Sequence, residues 1–158
     1  MAGHAYTATV EWFGGDGSFA DGRYGRGHRW LFDGGVEVPA SASPLHVKAP
    51  YSRADAVDPE EAYVAALSSC HMLFVLYLAG RRGLVIESYR DEAIGLMSPN
   101  AAGKPHIGAV TLRPAIGWGG ERWPSALEVE TLHRDAHAEC YLANSVLTAI
   151  TVEPVAAD

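Results

Sequence analysis

The run from Asp58 to Gly80, DPEEAYVAALSSCHMLFVLYLAG, constrains this chain more than any other stretch. Asp58 is a favourable N-cap, Pro59 suits the first helical position, where a missing N–H costs nothing, and Glu60 and Glu61 set negative charge against the positive end of the helix dipole. Arg81 and Arg82 complement the opposite end, and Gly83 can take the left-handed conformation that closes a helix. Between these signals, Ala62 to Leu67 and Met72 to Leu78 are apolar on nearly every face, which predicts a helix buried on all sides. The unbroken apolar part after Cys70 and His71 is nine residues, well short of the ~20 that a bilayer requires. The pattern therefore reads as a soluble core helix, covered by a sheet wrapped around it or by a second subunit.

A length of 158 residues suits one domain spanning 1–158. The net charge of −7, without a Lys/Arg stripe, argues against nucleic acid and for small molecules or proteins as partners. The opening MAGHAYTATV has no basic region followed by an apolar one, so a cytoplasmic protein without a membrane segment is expected. In that compartment two cysteines are more often reduced or redox-active than a structural staple, which singles out Cys70 and Cys140.

Along the chain, Tyr6 to Trp12 reads as a strand and Gly14 to Gly17 as a loop. Gly27 to Asp33 is a second strand, Asp33-Gly34-Gly35 a hairpin, and Val36 to Ala42 the returning strand. Ser43 to Val57 is an irregular connection to the helix. Beyond it, Leu84 to Met97 is strand-like, Ser98 to Pro105 a loop, and Ile107 to Trp118 a strand in which Pro114 marks an edge or bulge. After a loop at Gly119 to Pro124, Ser125 with Glu128 forms a capping box opening a second helix to about Cys140, with Leu127, Leu132 and Ala136 as its apolar face. Leu147 to Val155 is the last strand. Three strands, helix, two strands, helix, strand predicts an α+β fold with antiparallel sheet.

Cys70 lies about three turns inside its helix, so the dipole cannot activate it. It is either an inert core thiol or a reactive one served by a cation from elsewhere, with Arg23, Arg26, Arg29 and Arg53 as candidates. Cys140 follows His133 and His137 within ~60° of one helical face. That arrangement suits a zinc site if Cys70 or His71 supplies a fourth ligand, and otherwise is a solvated helix face. Glu60 precedes Cys70 by ten residues, ~15 Å of helical rise. For both to serve one site, the helix must break or the carboxylate must come from a second subunit.

Asp58-Pro59-Glu60, then Cys70 within ALSSC, and the distant AHAEC of Ala136 to Cys140 with Asn144, resemble the family of osmotically inducible protein C and the organic hydroperoxide resistance proteins. The resemblance implies an intertwined homodimer in which strongly curved antiparallel sheets wrap central helices. It implies reduction of organic hydroperoxides, without a cofactor, by a peroxidatic Cys70 and a resolving Cys140. It also implies a dithiol reductant, in some members carried on a lipoylated protein, and support of the thiolate by Glu60 and an arginine, for which Arg26 is the first choice, ahead of Arg29 and Arg53. Two departures, Tyr141 in place of the family's usual proline after the second cysteine and His71 after the first, suggest a divergent branch. The alternative function is a metal- or small-ligand-binding module built on His133, His137 and Cys140, without peroxidase activity.

Overall fold

The computed structural model describes residues 3–15 and 17–157. Asp16, within the loop expected at Gly14 to Gly17, lies outside the described residues, as do Met1, Ala2 and Asp158. The chain divides into two compact units, Met1–Ala62 and Tyr63–Asp158.

In the first unit β1 (Ala8–Glu11), β2 (His28–Phe32) and β3 (Glu37–Ala40) form the expected antiparallel meander. The hairpin between β2 and β3 turns at Gly35, whose φ of +80° glycine tolerates without strain. Arg29 in the central strand pairs across both ladders, with Glu11 at 2.7 Å and Glu37 at 3.1 Å. The irregular connection returns to the sheet through a parallel bridge between Val57 and Ala40. The helix α1 (Pro59–Arg81) then begins. Asp58 Oδ1 accepts the Glu61 N–H at 2.8 Å and the Glu61 carboxylate accepts the Asp58 N–H at 3.2 Å, so Glu61 closes a capping box as well as facing the dipole.

The second unit contains the rest of α1, β4 (Val85–Asp91), β5 (Ile94–Pro99), β6 (Pro105–Leu112), β7 (Pro114–Gly119), α2 (Ala126–Glu139) and β8 (Ala149–Val152). β4 pairs with β7, and a second sheet runs β5-β6-β8. Each of the segments Leu84 to Met97 and Ile107 to Trp118, expected as single strands, is thus two strands that change sheet. The changes occur at Glu92-Ala93 and at Arg113, where Asp91 Oδ1 accepts the Arg113 N–H at 2.6 Å and Oδ2 accepts the Ser68 hydroxyl at 2.5 Å. Pro114 opens β7, a strand position that needs no ladder donor. The α+β fold with antiparallel sheet is as expected, with one exception among the described strands: β8 lies parallel to β6, from Ala109 opposite Ala149 to Leu112 opposite Val152. The chain between β6 and β8, which includes α2, makes the crossover that a parallel pair requires.

Within one chain α1 is buried along a single stripe, Leu67, His71, Val75 and Ala79, one residue per turn. Leu67 packs with Val110 and Leu112, and Val75 and Ala79 pack with Leu84, Ile116, Leu132 and Ala136. The sheets and α2 therefore cover one face, and Leu73, Leu76 and Tyr77 remain exposed, so burial on all sides is not reached by a single copy. Gly83 at φ +68° ends the helix as expected, with Leu84 N–H to Ala79 O at 3.0 Å and Gly83 N–H to Gly80 O at 3.1 Å. α2 opens on the expected capping box of Ser125 and Glu128. Leu132 and Ala136 are buried, whereas Leu127, about 140° around the helix from Leu132, is 69% exposed.

Candidate active site

Packing of α1 on α2 through Val75, Ala79, Leu132 and Ala136 sets two sulfur atoms side by side. Cys70 stands at the edge of the buried α1 stripe and is half-buried; Cys140, the residue that caps the C-terminus of α2, is buried. Both are free thiols, and the Cys140 S–H donates to Cys70 Sγ at 2.9 Å. The Leu142 N–H points to the same acceptor at 3.5 Å. Burial, followed by the bond to Cys70, pushes the Cys140 thiol up to about 11, against the pull of the Ala143 and Leu142 amides. Cys140 therefore keeps its proton at neutral pH and offers it in a hydrogen bond to Cys70. An imported cation was the expected source of such help; these two donors come from the same unit.

The turn after α2 is tightly held. Asn144 Nδ2 donates to Ala138 O and to Cys140 O, each at 2.9 Å, its backbone N–H donates to Cys140 O at 3.1 Å, and the Ser145 hydroxyl donates to Tyr141 O at 2.7 Å. A 3-10 turn spans Ala143–Ser145. Tyr141, which follows Cys140, meets Phe74, one turn beyond Cys70 on α1, edge to face at 5.0 Å, so an aromatic pair links the two cysteine-bearing segments.

Next in sequence to Cys70, His71 forms a buried pair with His133 of α2. His71 Nε2 and His133 Nδ1 share a hydrogen bond of 3.0 Å, the ring planes lie 12° apart, and the residues are 1% and 3% exposed. Burial pushes both imidazoles down to about 4; the neighbouring rings of His133 and His137 add to the effect on His71, and Asp91 opposes it on His133. Both are neutral at pH 7, and one donates while the other accepts. Among the described residues, His71 Nδ1 and His133 Nε2 have no hydrogen-bond partner. The expected solvated histidine face is thus wrong for His133, which faces the core beside Leu132 and Ala136.

The profile of the OsmC-like protein family matches residues 52–155. The chain belongs to that family. An OsmC-like protein of unknown function from Vibrio cholerae is 43% identical, with 96% of this chain and 99% of that chain covered and a TM-score of 0.94. Two more distant structures share the fold. An organic hydroperoxide resistance protein from Legionella pneumophila is 16% identical over 100% of both chains, with a TM-score of 0.69. Its counterpart from Bacillus subtilis is 19% identical over 95% of this chain and 98% of that one, with a TM-score of 0.67. No curated protein matches.

In this OsmC-like chain Glu60 and the four arginine candidates lie in the first unit, and each arginine has partners there. Arg26 donates to Gly22 O at 2.7 Å and stacks on the Tyr24 ring at 3.8 Å. Arg29 holds Glu11 and Glu37, Arg53 pairs with Asp55 at 2.9 Å, and Arg23 pairs with Asp21 at 2.7 Å. α1 runs unbroken from Pro59 to Arg81, so the alternative of a helix break between Glu60 and Cys70 is removed. The zinc alternative finds no support: among the described residues no group of three or more His, Cys, Asp or Glu side chains could hold a metal ion. The Leu142 amide is a functional candidate that the sequence does not reveal, whereas Asn144 stands among the residues that carry the family resemblance. The burial of His71 was readable, because it falls four residues after Leu67 and four before Val75 on one helical stripe.

Proposed function

We propose that this OsmC-like protein is a thiol-dependent peroxidase that reduces organic hydroperoxides through Cys70 and Cys140. The observation that carries the reading is the 2.9 Å contact in which Cys140 donates its proton to Cys70. The Cys70 thiolate attacks the terminal peroxide oxygen, the O–O bond breaks, and the alkoxide leaves as an alcohol after taking a proton. Cys70 is then a sulfenic acid. Cys140 attacks its sulfur, the S–O bond breaks, water departs and a disulfide forms, so two thiols supply the two electrons that the peroxide accepts. Forming a bond of about 2.05 Å requires the sulfurs to close by roughly 0.9 Å. A small dithiol, free or carried on a lipoylated protein, returns the pair to the reduced state by exchange.

The Leu142 amide stabilises the developing thiolate, and Phe74 and Tyr141 favour an alkyl or aryl peroxide over hydrogen peroxide. On the sequence resemblance, Glu60 and Arg26 add support to the thiolate, and the protein works as a homodimer. Stopped-flow mixing with cumene hydroperoxide is expected to consume both thiols with one equivalent of oxidant. Cys70→Ser should abolish the reaction, and Cys140→Ser should halt it at a sulfenic acid that dimedone traps. A Cys70→Ser protein that reduces the peroxide as fast as wild type would rule the reading out.

A further inference from the structure

We propose that Asn144 is a positioning residue that fixes the approach of Cys140 to Cys70 by closing the C-terminal end of α2. The inference rests on the dithiol reading of that pair. A helix ends with carbonyls that have no intrahelical donor. Here the last turn of α2 is closed by a side chain from beyond it: the two N–H groups of the Asn144 amide go to Ala138 O and Cys140 O, both at 2.9 Å. The amide's donor capacity is thereby used in full. The same residue's backbone N–H takes Cys140 O as well, at 3.1 Å.

Cys140 is the cap itself, with φ −64° and ψ 115°, outside the helical range. Nothing in helix geometry dictates that conformation, so the direction of its side chain depends on what grips its carbonyl. Asn144 provides that grip, and with it the setting of the Leu142 N–H on Cys70 Sγ. An oxygen in place of Nδ2 would face two carbonyl oxygens, so aspartate, of nearly equal shape, cannot do the same work. Asn144 is itself exposed, so its replacement opens no cavity in the core.

The quantity that Asn144 controls is the effective concentration of Cys140 at Cys70, which equilibration with glutathione measures directly. Cys70 attacks glutathione disulfide and releases one glutathione; Cys140 attacks Cys70 in the mixed disulfide and releases the second. In Asn144→Ala and Asn144→Asp the effective concentration is expected to fall about tenfold or more, the range that two lost hydrogen bonds imply. The first attack should slow clearly less than resolution, because Cys70 itself is carried by α1 and loses only the support of donors from the turn. A stability defect alone leaves the glutathione equilibrium of folded protein unchanged, so thermal melts run alongside separate the two roles. In single turnovers with cumene hydroperoxide, the variants should accumulate a dimedone-reactive sulfenic acid that wild type does not. An unchanged effective concentration in both variants, or equal slowing of attack and resolution, overturns the proposal. Wild type inert to the hydroperoxide, with the glutathione effect intact, refutes the peroxidase reading and leaves Asn144 in its role.

Discussion

His71 occupies a turn of α1 where leucine would pack with no polar atom to satisfy, and among the described residues its ring bonds to one partner, the neutral imidazole of His133. The pair makes the fold acid-sensitive in a defined window. In the unfolded chain both rings titrate near the ordinary value of about 6.5; in the folded protein they do so near about 4. Between these values the unfolded chain binds more protons, so stability is full above about 6.5 and falls as the pH drops toward 4. The loss reaches on the order of 3 kcal/mol per imidazole. Urea midpoints measured from pH 7.5 to 4.5 should trace that decline, and in a His71→Leu/His133→Leu double variant the decline should largely vanish. Each single variant strands a buried ring nitrogen and is expected to cost about 1–3 kcal/mol, with partial recovery in the double. Additive losses would argue against the pair acting as a unit. From sequence, His71 could be placed on the buried stripe, but its partner 62 positions away could not.

At the scale of elements, helix ends were legible and strand boundaries were not. Asp58, Gly83 and Ser125 each act through atoms within a few residues of themselves, so local sequence suffices to place them. The bend between β4 and β5 and that between β6 and β7 depend instead on Asp91, which gathers the Arg113 amide and the Ser68 hydroxyl from distant parts of the chain. No turn residue marks Glu92-Ala93, and the two strands read as one. The seat of β5 on α1 shows how tight the resulting packing is. A Cβ at Gly95 would fall 2.6 Å from Val64 Cγ2 and 3.3 Å from Ile107 Cγ2. Val64 is β-branched and cannot easily rotate away. Gly95→Ala is therefore expected to destabilise by about 1–3 kcal/mol, read as a lowered thermal midpoint. An unchanged midpoint would mean that β5 can lift from the helix without loss.

For the molecule as a whole, the exposed apolar face of α1 is the feature most in need of an occupant. Leu73 is 59% exposed and Tyr77 56%, on a helix whose opposite stripe is fully packed. Contiguous apolar surface of this kind ordinarily marks an interface, and a second copy is the proposed cover. Sedimentation should give twice the chain mass for wild type, and Leu76→Glu, which sets a carboxylate on that face, should shift the protein toward single chains. A wild-type protein of single-chain mass at every concentration would dismiss the dimer. The two thiols of the candidate site were legible because cysteine announces its chemistry wherever it stands. The Leu142 amide was not, since its contribution is made by main chain whose path only the folded turn defines. That contribution has an evolutionary corollary. A donor supplied by the backbone survives every substitution of its own side chain except proline, so positions 141 and 142 can otherwise diversify and retune the entrance beside Phe74 while the hydrogen bond to sulfur is inherited intact.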